Sequence, residues 1–151
     1  MLSIKIKNNG GCFEFMIELQ HVYKKYPNGV EALSDISISI KRGEFVFVAG
    51  SSGAGKSTLV KMLIREVIPD RGVVRVNGKD IGRMMRREVP YLRRNIGVVF
   101  QDFRLLDNIN VFDNVAFALR VTNYTDKEIN RKVPEVLKMV GLDKKIKCTP
   151  K

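Results

Sequence analysis

The apolar positions of the chain fall into short runs of two periods, separated by turn-forming residues. The first fifteen residues are polar and glycine-containing, and we read no clear period in them. Ile17, Leu19 and Val22, set among polar partners, predict a strand, and Tyr26-Pro27-Asn28-Gly29 predicts a turn. Asp35-Ile36-Ser37-Ile38-Ser39-Ile40 alternates strictly and predicts a half-buried strand. Lys41-Arg42-Gly43-Glu44 turns the chain. Glu44 to Ala49 is then apolar at nearly every position, the pattern of a strand covered on both faces in a mixed or parallel sheet. After a glycine-rich stretch, Leu59, Val60, Leu63, Ile64 and Val67 take helical spacing, with Pro69-Asp70-Arg71-Gly72 as the stop. Val73 to Val76 followed by Asn77-Gly78 predicts a strand and a tight turn, and Ile96 to Phe100 another strand. Asp113 to Leu119 reads as a short helix. Thr125-Asp126-Lys127-Glu128 is a capping box opening a helix with Ile129, Val133, Val136, Leu137 and Val140 on one side, interrupted near its start by Pro134 and closed at Gly141. Strands and helices in this order predict an α/β fold.

The chain has 151 residues, 44% of them hydrophobic, enough for one ordinary domain or part of a larger one. No apolar run approaches the roughly 20 residues of a membrane span, and no signal peptide is read at the N-terminus. Cys12 and Cys148 stand near opposite ends in no metal-ligand spacing, which argues against a disulfide scaffold and fits a reducing cytosol. The formal net charge of +11 changes the picture, because a basic surface attracts nucleic acid or anionic lipid. Its densest patch is Arg83, Arg86, Arg87, Arg93 and Arg94. That patch lacks the aromatic interleaving of single-strand binders, so no specific nucleic acid is expected.

The candidate chemistry lies in Gly50-Ser51-Ser52-Gly53-Ala54-Gly55-Lys56-Ser57-Thr58, a phosphate-binding loop pattern without a mismatch. Glycines let main-chain N–H groups turn inward as a nest, and the following helix aims its positive end at the same place. Lys56 brings a flexible point charge for the β- and γ-phosphates, and Ser57 brings a hydroxyl suited to Mg²⁺. Thr58 falls on the α-phosphate side. Tyr26 can stack on an adenine ring or be an ordinary turn aromatic. Gln101, directly after a strand, can reach Mg²⁺ or an attacking water, or be a surface glutamine.

On these residues the sequence resembles an ABC-type ATPase domain. The segment from Leu33 through Gly43-Glu44-Phe45 to GSSGAGKSTL is similar to that family's opening. So are Pro69-Asp70-Arg71-Gly72, Val76-Asn77-Gly78-Lys79-Asp80-Ile81 and Ile96-Gly97-Val98-Val99-Phe100-Gln101. The stretch Arg87 to Asp102, with Val111-Phe112-Asp113-Asn114-Val115-Ala116, resembles the branch that acts in bacterial cell division. The resemblance runs from Met16 to about Pro150 and leaves residues 1–15 as an extension or a start-site error. It implies a P-loop core with a flanking antiparallel β-subdomain in residues 16–151. It also implies ATP and Mg²⁺ as ligands, Tyr26 stacked on adenine, and Gln101 sensing the γ-phosphate and the metal.

The same resemblance implies a homodimer of nucleotide-binding domains and an FtsX-type membrane permease facing the region after Gln101. The protein would then lie peripherally on the inner face of the plasma membrane. The sequence departs from the family pattern: there is no LSGGQ-like signature and no apolar strand ending in Asp-Glu. The only histidine, His21, lies upstream of the loop and cannot be the family's switch histidine. The chain therefore corresponds to the N-terminal portion of such a domain, up to the lead-in of the signature at Gly141-Leu142-Asp143 and Pro150. Alone it is expected to bind nucleotide weakly and to hydrolyse it negligibly. Two other readings remain: the ATPase of another ABC importer or lipoprotein exporter, and a non-hydrolysing remnant that binds acidic partners. A P-loop GTPase is disfavoured by the absence of a guanine-reading Asn-Lys-x-Asp.

Overall fold

The computed structural model describes residues 3–6, 14–100 and 102–150. The chain forms two compact units, Ile4–Gly97 and Val98–Lys151 with Met1–Ser3.

The first unit is built on an antiparallel sheet of order β3-β2-β4-β5, made of β2 (Phe15–Lys25), β3 (Glu31–Lys41), β4 (Arg71–Val76) and β5 (Lys79–Asp80). A separate two-stranded sheet pairs β1 (Ser3–Ile6) with β6 (Ile96–Val99). Helix α1 (Lys56–Leu63) and the short α2 (Val89–Arg94) complete the unit. Ile17, Leu19, Val22, Leu33, Met62, Leu63, Val74, Val76, Ile81 and Leu92 are buried and form its core.

The alternation of β2 breaks between Leu19 and Val22, both buried although three positions apart. A bulge at His21, whose φ is +47°, restores the phase. A second bulge at Asp35, φ +51°, compensates on β3, so that Leu19 faces Ile38, Val22 faces Ile36 and Lys24 faces Leu33. His21 Nδ1 lies 2.8 Å from Asp35 Oδ1, and the His21 N–H donates to Ser37 Oγ at 3.0 Å, pinning the two irregular positions together. Across β4 the same bulge faces Gly72, where a Cβ would stand 2.2 Å from the His21 carbonyl oxygen. The turn after β4 uses Asn77 and Gly78, both at positive φ, as an Asn-Gly hairpin requires.

Helix α1 stops at Leu63 rather than running to Pro69 as the spacing predicts. Arg65 adopts φ +55°, its N–H donates to the Met62 carbonyl and that of Glu66 to the Lys61 carbonyl: a Schellman motif with arginine where glycine is usual. The Arg65 guanidinium holds that turn by donating to the carbonyls of Ile81, Gly82 and Met84. The predicted strand at Glu44–Ala49 is not formed. Among the described residues no strand pairs with it, and Phe45, Val46, Phe47 and Val48 are all exposed. Among the described residues this run has no ladder of main-chain hydrogen bonds, and such a ladder is what defines a strand. Conversely, Ser3-Ile4-Lys5-Ile6, inside the stretch read as unpatterned, forms β1.

The second unit is a helical pair, α3 (Val111–Arg120) and α4 (Asp126–Met139). Ala116, Ile129, Val133 and Leu137 are buried between them, with Phe112, Val115, Leu119 and Ile146 packed around. Asn110 caps α3 by accepting the Asp113 N–H at 2.8 Å. Asn114 fixes the preceding loop, its side chain exchanging hydrogen bonds with the main chain of Leu106. The capping box at Thr125–Glu128 forms as predicted, and Gly141, φ +72°, closes α4 in a second Schellman motif. Pro134 does not interrupt α4. Proline has no N–H to donate to the carbonyl four residues back, that of Asn130, and Asn130 is exposed to water. Val136 and Val140 are exposed rather than part of the buried stripe.

Candidate functional site

The glycine-rich segment forms a curled loop leading into α1. Gly53 and Gly55 have φ +82° and +68°, a region where a side chain is strained. The Ala54 N–H donates to the Ser51 carbonyl at 3.2 Å and the Gly55 N–H to the Gly53 carbonyl at 2.7 Å, which sets the curl. Gly55 is the N-cap of α1, no side chain caps that end, and the first turn carries no acid. The start of the helix is therefore an electropositive terminus with no internal anion.

Lys56, the first residue of α1, folds back across the loop. Its Nζ donates to the carbonyls of Gly50 at 2.9 Å and Ser51 at 3.0 Å. Both acceptors are neutral, and a charged oxygen is a stronger partner for an ammonium. Ser51, Ser52 and Ala54 lie exposed in the loop, and Ser57 is exposed on the first turn. Thr58 is buried, with its hydroxyl 3.3 Å from the Tyr26 hydroxyl. The structure thus brings Tyr26 against the first turn of α1, beside the loop. Gln101 lies outside the described residues.

One participant had no signal in the sequence. A Cβ on Gly55 would stand 1.7 Å from the carbonyl oxygen of Ala32 and 3.2 Å from Leu33 Cδ2, so the loop is seated on the main chain at the start of β3. Since any residue type offers a carbonyl, no choice of side chain at position 32 announces this contact. A lysine, a first-turn hydroxyl and a helix terminus free of acid fit a polyphosphate with a hard divalent cation. Among the described residues no group of three or more His, Cys, Asp or Glu could hold a metal ion.

The family model of the ABC transporter matches residues 33–150, and the chain belongs to that family. Among its relatives is the cell division ATP-binding protein FtsE of Bacillus subtilis (strain 168), 52% identical over 135 residues, covering 89% of this chain and 59% of that protein. The methionine import ATP-binding protein MetN of Helicobacter hepaticus is 41% identical over 135 residues, covering 89% of this chain and 38% of its own. Among solved structures, the dimeric post-hydrolysis state of the ATP-binding cassette MJ0796, bound to ADP and Pi, matches with a TM-score of 0.79 at 28% identity. That match covers 89% of this chain and 62% of the other. The chain thus spans 59% of the length of the Bacillus protein. The fold is that of the ABC cassette: the antiparallel β-subdomain expected from the sequence and the P-loop with its helix are both in place.

Proposed function

We propose that this chain is the nucleotide-gripping portion of the ATP-binding subunit of an ABC-type complex acting in bacterial cell division. The observation that carries this reading is the Gly50–Thr58 loop, with Lys56 folded onto the Gly50 and Ser51 carbonyls at an uncapped helix start and Tyr26 beside it. The identity to FtsE supports the cell-division assignment. In this reading Gly50, Ser52, Gly53 and Gly55 shape the nest, and Lys56 exchanges its carbonyl partners for phosphate oxygens. Ser57 presents its hydroxyl to the metal and Tyr26 offers its ring to the base. Gln101 senses the γ-phosphate. Mg²⁺, when bound with ATP, neutralises phosphate charge. An FtsX-type permease is the proposed membrane partner, a homodimer of cassettes the proposed assembly, and the inner face of the plasma membrane the proposed place.

The test is nucleotide binding by calorimetry with Mg²⁺ present. The intact chain is expected to bind ATP weakly, and Lys56→Ala to lower affinity at least about tenfold, the loss of one charge-assisted contact. ATP turnover is expected to stay at the level of the Lys56→Ala control. Unaltered affinity in that variant would refute the reading. The identity to MetN favours a second reading, the ATPase of an importer, and the permease recovered with the tagged protein from its own cells discriminates the two.

A further inference from the structure

The arginines after α1 and after β5 divide into two groups. Arg65 and Arg93 brace the main chain. Arg93 Nε donates to the Ile64 carbonyl at 2.9 Å, as the Arg65 guanidinium does to the carbonyls after β5. Arg86, Arg87 and Arg94 meet no carboxylate among the described residues and are exposed. A 3₁₀ turn over Arg86–Glu88 runs directly into α2, so residues 87, 91 and 94 fall on one side, spaced by four and three. Val89 and Leu92 are buried and occupy the opposite side. The outward stripe is therefore Arg87, Tyr91 and Arg94, with the Arg94 guanidinium over the Tyr91 ring at 5.3 Å from its centroid. Tyr91 is 64% exposed and the neighbouring Met85 58% exposed. Arg83 extends the charge, itself paired with Asp80 at 3.5 Å. The nearest acid in sequence, Glu88, is turned to the main chain and accepts the Met85 N–H at 2.8 Å.

We propose that this face, formed by Arg83, Met85, Arg86, Arg87, Tyr91 and Arg94, docks on an anionic phospholipid surface. Charge complementarity names the partner class, and the apolar residues choose within it. A tyrosine ring and a thioether between arginines match the boundary of headgroup and acyl chain, where aromatic rings settle while guanidinium groups reach phosphates. A duplex backbone offers the same phosphates but no apolar layer for Met85 and Tyr91, and Tyr91 is a single ring, short of the repeated stacking platforms of single-strand binders. The face uses none of the nucleotide-loop residues, so the inference stands apart from the function proposed above.

The experiment is flotation of the intact chain with vesicles of phosphatidylcholine alone or of equimolar phosphatidylcholine and phosphatidylglycerol, at low and high salt. Binding is expected only to the anionic vesicles and is expected to weaken with salt. Arg87→Gln with Arg94→Gln is expected to lower vesicle affinity about thirtyfold, roughly fivefold for each basic group at the surface. Met85→Ser with Tyr91→Ser is expected to lower it several-fold, and Arg87→Lys with Arg94→Lys to retain it. Circular dichroism melts establish that the variants are folded. Should the glutamine pair unfold, the lysine pair, the serine pair and the salt series decide the matter. Equal binding to both vesicles, unchanged affinity in a folded glutamine or serine pair, or tighter binding to duplex DNA at equal salt would overturn the proposal. ATP binding is measured alongside and is expected to be unchanged in all of these variants.

Discussion

Gly55 carries two constraints at once: a left-handed φ of +68° and a place for a Cβ already filled by the Ala32 carbonyl. Gly55→Ala is therefore expected to destabilise the first unit by about 3 kcal/mol, from left-handed strain together with the displaced main chain. Denaturant melts of the intact chain measure it. Gly53 shares the positive φ but meets nothing within 4 Å, so Gly53→Ala should cost less, about 1 kcal/mol. The glycines at 50, 53 and 55 were legible in the sequence as a phosphate-loop pattern. That the third of them is also a packing contact was not, because the partner is a carbonyl brought in from β3. His21 and Asp35 show the same limit. Their bulges are set by cross-strand register; Asp and His adopt a positive φ more readily than most residues, but nothing beside them in the sequence marks these two positions.

The side-chain cap of α4 was legible in the sequence, whereas the Asn110 cap of α3 was not, and that helix opens at Val111 rather than Asp113. At α4 the Thr125 N–H and hydroxyl donate to Glu128 Oε2 at 2.9 Å and 2.7 Å, and these bonds hold the Glu128 carboxyl below its ordinary value. Thr125→Ala is expected to cost the second unit about 1 kcal/mol, typical of a lost N-cap. A depressed folded value means that the carboxylate's contribution is present above the unfolded value and fades as the pH falls through the folded one. The stability gap between the wild type and Glu128→Gln should thus be open at neutral pH and close in acid, as pH-dependent melts will show. Asp70 behaves with the same sign, held low by Lys24 Nζ at 2.6 Å and by the Lys25 N–H. The end of α1 is not legible in the sequence, because Pro69 is a visible stop, whereas the operative one, Arg65 at φ +55°, depends on carbonyls after β5.

For the whole molecule, the exposed run Phe45–Val48 has the largest consequence. Phe45 is 80% exposed and Phe47 71%, their rings in an edge-on contact at 4.8 Å. An exposed apolar segment with no strand partner among the described residues invites association with another strand. The isolated chain is expected to bind an apolar dye and to self-associate with rising concentration. Phe45→Ser with Phe47→Ser should reduce both, as read by dye fluorescence and by light scattering. Unaltered scattering in that variant would place the association elsewhere.

The sequence by itself determined the phosphate-loop pattern, the strand segments within β2, β3 and β4, the Asn-Gly hairpin and the capping box at Thr125. Each of these depends on local spacing and on the conformational preferences of a few adjacent residues. Tertiary structure alone decided where α1 stops, how two bulges keep β2 and β3 in phase, and that Gly55 rests on Ala32. It also decided that Glu44–Ala49, whose composition reads as a doubly covered strand, lies uncovered. Hydrophobicity states what a segment can bury, but a strand exists only where another supplies its hydrogen bonds, and that partner lies outside the segment's own pattern.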